Sequence, residues 1–160
     1  MPHFFQSSLG LRLSIEQVVQ AILDFMNADP RRRYKILIGT DSEHKPDKTA
    51  DFVTAVVVHR VGNGGRYFWR RVDLSRKYHT LRDRIVEEVL ISLEAAKEVL
   101  TATKKLAVPE FDFEIHADVG ENGETKAIIQ ELVGMIRANN FEAKTKPDSY
   151  AASKVADRHV

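Results

Sequence analysis

Two β-branched, aromatic-rich runs meet at a four-residue turn, and this pairing constrains the fold more than any other feature of the chain. Phe52 to Val61 and Arg66 to Leu74 flank Gly62-Asn63-Gly64-Gly65. Glycines and asparagine supply the positive φ angles of a tight hairpin, so the two runs are predicted to pair antiparallel. A third strand-forming run, Tyr34 to Thr40, precedes them across a short connection and extends the hairpin into a meander. After this point the pattern changes. Thr80 to about Leu100 reads as a long helix, Phe111 to Asp118 as a fourth strand, Thr125 to Ala138 as a helix and Phe141 to Lys146 as a short fifth strand. A last helix is expected after Pro147. The later strands are each entered from a helix, which favours parallel pairing.

The expectation is an α/β fold with a mixed five-stranded sheet, an antiparallel three-strand meander plus two parallel strands, flanked by helices. Ahead of it, Ser14-Ile15-Glu16-Gln17 is a capping-box pattern. Apolar residues from Ile15 to Met26 then recur at helical spacing as far as Pro30. Residues 1–13 show no period and read as an arm. The 160 residues suit one domain, 1–160, in which about 1–29 form the arm and an extra helix.

Composition narrows the function classes. The chain has no cysteine, which removes thiolate catalysis and cysteine-type zinc sites and is compatible with a reducing, cytoplasmic location. Apolar runs such as Phe52–Val58 are too short to cross a bilayer, and no charged-then-apolar leader opens the sequence, so neither membrane insertion nor export is expected. A net charge of +1 does not announce nucleic-acid binding, although local charge can supply it.

Three acids fall at or just beyond predicted strand ends: Asp41, Asp118 and Asp148. In sheets with parallel strands entered from helices, sites form at the carboxyl ends of strands. Singly, each acid has an ordinary role, as a turn former for Asp41 and Asp118 or a helix N-cap for Asp148. Together, three carboxylates at one sheet edge repel each other unless a cation neutralises them, and oxygen-rich clusters suit Mg²⁺ or Mn²⁺. Helical phase selects a fourth. With Leu81 at zero, Ile85, Val89, Leu93, Ala96 and Leu100 span about 40° to 120°, Glu88 falls near 340° at the margin of that buried face, and Glu87 and Glu94 fall near 240° and 220° towards water. A margin glutamate that simply reaches solvent is the alternative for Glu88. In the last helix, with Asp148 at zero, Ala152 and Val155 lie within about 40° of it and Asp157 lies near 180°.

These residues resemble a known family. An acid ending the first strand, a glutamate in the first helix after a meander and an acid ending the fourth strand are similar to the pattern of the ribonuclease H-like superfamily. The stretches "IGTDS", "LRDRIVEEV", "HADVG" and "KPDSYAASKVADRH" resemble the YkuK-type bacterial members of it over most of the chain from Tyr34. The resemblance implies a metal-dependent nuclease hydrolysing phosphodiester bonds of RNA or DNA. Asp41 would bridge two Mg²⁺ or Mn²⁺ ions, Glu88 and Asp118 would each complete part of the cage, and Asp148, with Asp157 in reserve, would hold the second ion. The alternative is an inactive ribonuclease H-like module that binds nucleic acid or a protein partner.

Other signals are secondary. His44 and His116 lie close in sequence to Asp41 and Asp118 and could shuttle a proton, although a partly exposed strand-end histidine is the commoner role. In "RYFWRRVDLSRKYHTLRDR" basic and aromatic residues alternate. The expectation is a strand with a basic solvent face and an aromatic core face carrying Phe68 and Trp69. Arg76 and Lys77 in the following loop are the better candidates for substrate phosphates. Lys146, beside Asp148, is another. "DVGENGETK" lacks the Gly-Lys-Ser/Thr arrangement of a phosphate loop. Finally, Phe111–Asp118 alternates apolar and polar residues, which a central strand buried on both faces does not do. Its second face is therefore thinly covered or lined by polar partners.

Overall fold

A computed structural model describes residues 4–120, 126–146 and 159. Among them run β1 (Phe5–Ser7), β2 (Arg12–Leu13), α1 (Ile15–Asn27), β3 (Tyr34–His44), β4 (Ala50–Arg60), β5 (Gly65–Asp73), α2 (Leu81–Thr103), β6 (Asp112–His116), a 3₁₀ turn (Lys126–Ile128), α3 (Ile129–Ala138) and β7 (Glu142–Lys144). The strands form one sheet in the order β2-β1-β5-β4-β3-β6-β7. The meander β3-β4-β5 is antiparallel, while β6 pairs parallel with β3 and β7 parallel with β6.

The sheet thus has seven strands where five were expected. The additional two come from the supposed arm. Gln6 pairs with Trp69 and Ser7 with Phe68 on β5, and Phe5 and Gln6 pair back onto Leu13 and Arg12. A turn at Gly10, with φ of +81°, reverses the chain, and the Ser7 hydroxyl accepts from the backbone N–H groups of Leu9 and Leu11. Strands of two and three residues are too short to show a period, so local pattern cannot reveal them. Phe5 is fully buried, with the Arg70 guanidinium 4.6 Å from its ring centroid.

The capping box at Ser14 forms as expected, with Gln17 N–H donating to the Ser14 hydroxyl and Ser14 N–H donating to the Gln17 side chain. One face of the sheet carries the main core. Ile36 and Ile38 of β3, Val56 and Val58 of β4, Phe68 of β5 and Ile115 of β6 pack there against α1, α2 and α3. Phe68 and Trp69 are neighbours in a strand and so lie on opposite faces. The expected split of β5 into a basic and an aromatic face fails: Phe68 shares the core face with buried Arg70, whose charge is matched by Glu98 at 2.9 and 3.3 Å. Trp69 packs on Val53 and Ala55 on the other face.

Replacing Phe5 with alanine is expected to cost about 3–5 kcal/mol in urea unfolding, the range for truncating a fully buried phenylalanine. A near-neutral result would restore the view of residues 1–13 as a dispensable arm.

Candidate functional site

β4 follows β3 along its whole length, from Tyr34↔Arg60 to His44↔Ala50, whereas β6 follows it only from Lys35↔Asp112 to Gly39↔His116. Past His116 the chain turns towards β7: Ala117 N–H donates to Lys144 O at 2.9 Å and Lys146 N–H to Val119 O at 2.7 Å. Among the described residues, the last five of β3 therefore have no partner strand on that side, which defines a notch between them and the segment from Ala117 to Gly120. Asp41 lies inside β3, three residues before its end rather than at it, and Asp118 lies two residues beyond β6. Extending the Gly39↔His116 register by two residues sets Asp41 opposite Asp118 across the notch. Asp41 is half-buried, and Lys146 Nζ stands 2.9 Å from Asp118 Oδ1.

Glu88 approaches from α2 on the core face. The residue is 4% exposed, and its carboxylate accepts a short hydrogen bond from the Ser42 hydroxyl. Arg84, one turn earlier on α2, donates from Nη1 to both the carbonyl and the hydroxyl of Ser42 at 3.1 Å. One turn later, Ser92 Oγ lies 2.7 Å from Thr40 Oγ1, which lies 2.9 Å from Thr54 Oγ1. Positions 84, 88 and 92 thus form a polar seam against β3, because residues four apart share a helix face. Burial drives the Glu88 pKa well above the ordinary glutamate value. The Ser42 hydrogen bond opposes this, the charges of Asp41 and Asp118 add to it, and Arg84 opposes it. Asp41 and Asp118 therefore lie near enough for their charges to act on Glu88, although no three His, Asp or Glu side chains among the described residues converge in a position to ligate an ion. The hydrogen bond to Ser42 keeps Glu88 turned inward.

Several expectations change. Glu87 does not face water: it is buried, accepting from Tyr78 Oη at 3.0 Å and Arg76 Nη1 at 2.8 Å. The loop after β5 folds Tyr78 back over α2, a tertiary cover that helical phase cannot foresee. Burial, reinforced by the hydrogen bond to Glu87, pushes the Tyr78 phenol up to about 12. Arg76 is consequently tied to Glu87, though its side chain stays largely exposed, and Lys77 is exposed. His116 does end β6, but it is buried rather than partly exposed, with Nε2 3.2 Å from Glu114 Oε1. His44 is exposed at the end of β3. The alternation of β6 has its explanation in polar lining: buried Glu114 pairs with Lys35 at 3.5 Å and with His116. Asp148 and Asp157 lie outside the described residues. Sequence reading missed Ser42 and Arg84, the two residues that fix Glu88. Arg84 stands four positions before Glu88, the one available signal.

The ribonuclease H-like family model matches residues 17–160. This chain belongs to the ribonuclease H-like family. It is also 36% identical over 157 residues to the uncharacterized protein YkuK of Bacillus subtilis (strain 168), covering 92% of this chain and 91% of that one. No solved structure matches it significantly. Among the described residues, no helix is long and apolar enough to cross a membrane.

The raised pKa of Glu88 gives a signed expectation. Glu88 keeps its proton to higher pH in the folded state than in the unfolded state, which releases it near the ordinary value of 4.5. Stability contributed by this group is thus present below about that pH and lost as pH rises through the folded-state pKa. With metal chelated, Glu88→Gln is expected to be more stable than the parent at pH 7 by about 1–3 kcal/mol, a gap that closes towards pH 4. Urea melts of both proteins across pH 4–8 measure it, and a gap that does not narrow on acidification would contradict the assignment.

Proposed function

We propose that the chain is a divalent-metal-dependent nuclease that hydrolyses phosphodiester bonds in nucleic acid, with Asp41, Glu88, Asp118 and Asp148 as its acidic set and Asp157 in reserve. The observation that carries this reading is the placement of Asp41 opposite Asp118 beside the end of β3, with buried Glu88 held by Ser42, the residue next to Asp41. Family membership supports it.

The donor set suits the expected ions. Carboxylate oxygens are hard ligands of the type Mg²⁺ and Mn²⁺ take. Two side-chain cations, Arg84 and Lys146, already stand against the group, as expected of a site with surplus negative charge. Asp41, Asp118 and Glu88 would hold the ions together with Asp148. Two bound ions would supply a hydroxide nucleophile near neutral pH and stabilise the attacking and leaving oxygens of an in-line displacement. Lys146 is the strongest of the expected phosphate contacts, because its ammonium stands beside Asp118 and its side chain is more than half exposed. Arg76 and Lys77 lie on the loop after β5, where exposed cations could follow a nucleic-acid backbone. Ser42 and Arg84 are positioning residues that hold Glu88 against β3 from the core face, from which its side chain would turn to reach an ion.

A binding module without turnover is the second reading. It is favoured by the engagement of Glu88 with Ser42 and of Asp118 with Lys146, which satisfies two acids without any ion. Incubating the protein with RNA, DNA, hybrid and branched substrates in Mg²⁺ or Mn²⁺ separates the two. Cleavage is expected, and Asp41→Asn is expected to lower it by about 10²-fold or more, the scale on which transition-state charge stabilisation is lost. Cleavage that survives Asp41→Asn would reject the site, and binding without cleavage on every substrate would favour the module.

A further inference from the structure

Trp69 is the chain's single tryptophan and lies outside the main core. Its indole is covered instead by the imidazole of His159, stacked at 4.2 Å with the planes 9° apart. Arg71, two residues along the same face of β5, donates from Nη2 to the His159 carbonyl at 2.6 Å and pairs with Asp51 at 3.2 Å. A planar nitrogen heterocycle lies flat on the indole, and an oxygen acceptor of the same residue is held by the neighbouring guanidinium. A nucleotide presents these two groups as a base and a phosphate.

Register connects this shelf to the acids. Asp41 pairs with Val53 and Val53 with Arg71, so the three stand in one row across β3, β4 and β5. The adjacent row runs from His116 through Gly39 and Ala55 to Trp69. Cross-strand partners share a face, so Trp69 and Arg71 lie on the same side of the sheet as Asp41. Two strand spacings amount to roughly 10 Å, a few nucleotides even when stacked at about 3.4 Å each. Gly39, Val53 and Ala55 between the shelf and the notch are small or medium-sized but buried, so a strand crosses these rows only where their cover moves aside, as it does at the shelf when His159 leaves.

We propose that Trp69 and Arg71 form a stacking site for one base of a single nucleic-acid strand, which His159 occupies in the free protein. The proposal deepens the nuclease reading by naming a single-stranded stretch as the part of the substrate held here, and it rests on that reading only for the ligand being nucleic acid. Stacking tolerates any base, because every base has a π-face. Incoming strand and His159 compete, with Arg71 exchanging a carbonyl for a phosphate.

The test is binding in EDTA, which removes turnover from the readout. Single-stranded DNA and RNA 12-mers, and an abasic 12-mer of equal charge, are titrated while Trp69 fluorescence and the anisotropy of an end-labelled strand are followed. Base-containing strands are expected to quench Trp69 and the abasic strand to bind about tenfold more weakly, the scale of one lost aromatic stack. His159→Ala is expected to tighten binding severalfold. By anisotropy, Trp69→Ala should weaken it about tenfold and Trp69→Phe should restore most of the loss. Circular dichroism checks that each variant is folded, and Trp69→Phe keeps an aromatic cover should Trp69→Ala fail to fold. Equal binding of abasic and base-containing strands, or an affinity unmoved by His159→Ala, overturns the proposal. Such a result with metal-dependent cleavage intact leaves the nuclease reading standing, whereas quenching without cleavage in Mg²⁺ or Mn²⁺ leaves only the stacking site.

Discussion

The incomplete pairing of β3 governs the molecule. β4 accompanies this strand for eleven pairs and β6 for five, so among the described residues β3 is central for its first half and one-sided for its second. The paired half builds the core, with Ile36 and Ile38 fully buried between helices and neighbouring strands. The one-sided half carries Asp41 and Ser42 on opposite faces, because successive residues of a strand alternate. From this follow the approach of Glu88 on one face, the facing position of Asp118 on the other, and the turn of the chain towards β7 that places Lys146 beside the notch.

Backbone alternation also explains why the acids interact without meeting. Ser42 turns towards α2 and captures the Glu88 carboxylate, while Asp41 turns away. The charges nonetheless act through low-dielectric surroundings, where they are far less screened than in water. Glu88 feels desolvation first and its two acidic neighbours afterwards, with Ser42 and Arg84 opposing them.

Much of this could be read from the sequence, and the failures have identifiable causes. The meander, the two parallel strands and the margin position of Glu88 follow from turn residues, from helices preceding strands and from the 3.6-residue period. The same period misplaced Glu87, because Tyr78 N–H donates to Lys48 O at 2.8 Å and the loop so anchored brings its phenol over the helix. Such a contact joins segments with no shared local pattern. The two strands near the amino terminus escaped notice because their reason for forming is the exposed edge of β5, which exists only once the sheet does. Trp69 was assigned to the core beside Phe68, yet neighbouring strand residues cannot share a face. Asp118 appeared at a strand end, but nothing local announced the pairing with Lys146.

The seam of Arg84, Glu88 and Ser92 has a consequence for how this chain can vary. Four residues overshoot a helical turn by about 40°, so the seam drifts around α2 and follows β3 only where the two cross obliquely. Each polar group meets its partner through its place in a count of residues rather than through side-chain shape. Exposed positions of α2 such as Leu90, Glu94 and Lys97 can accept many side chains without disturbing that count. A single insertion or deletion between Arg84 and Ser92 would rotate one end of the seam by about 100°, carrying Glu88 off Ser42 or Ser92 off Thr40. The length of this segment is therefore under tighter constraint than its composition.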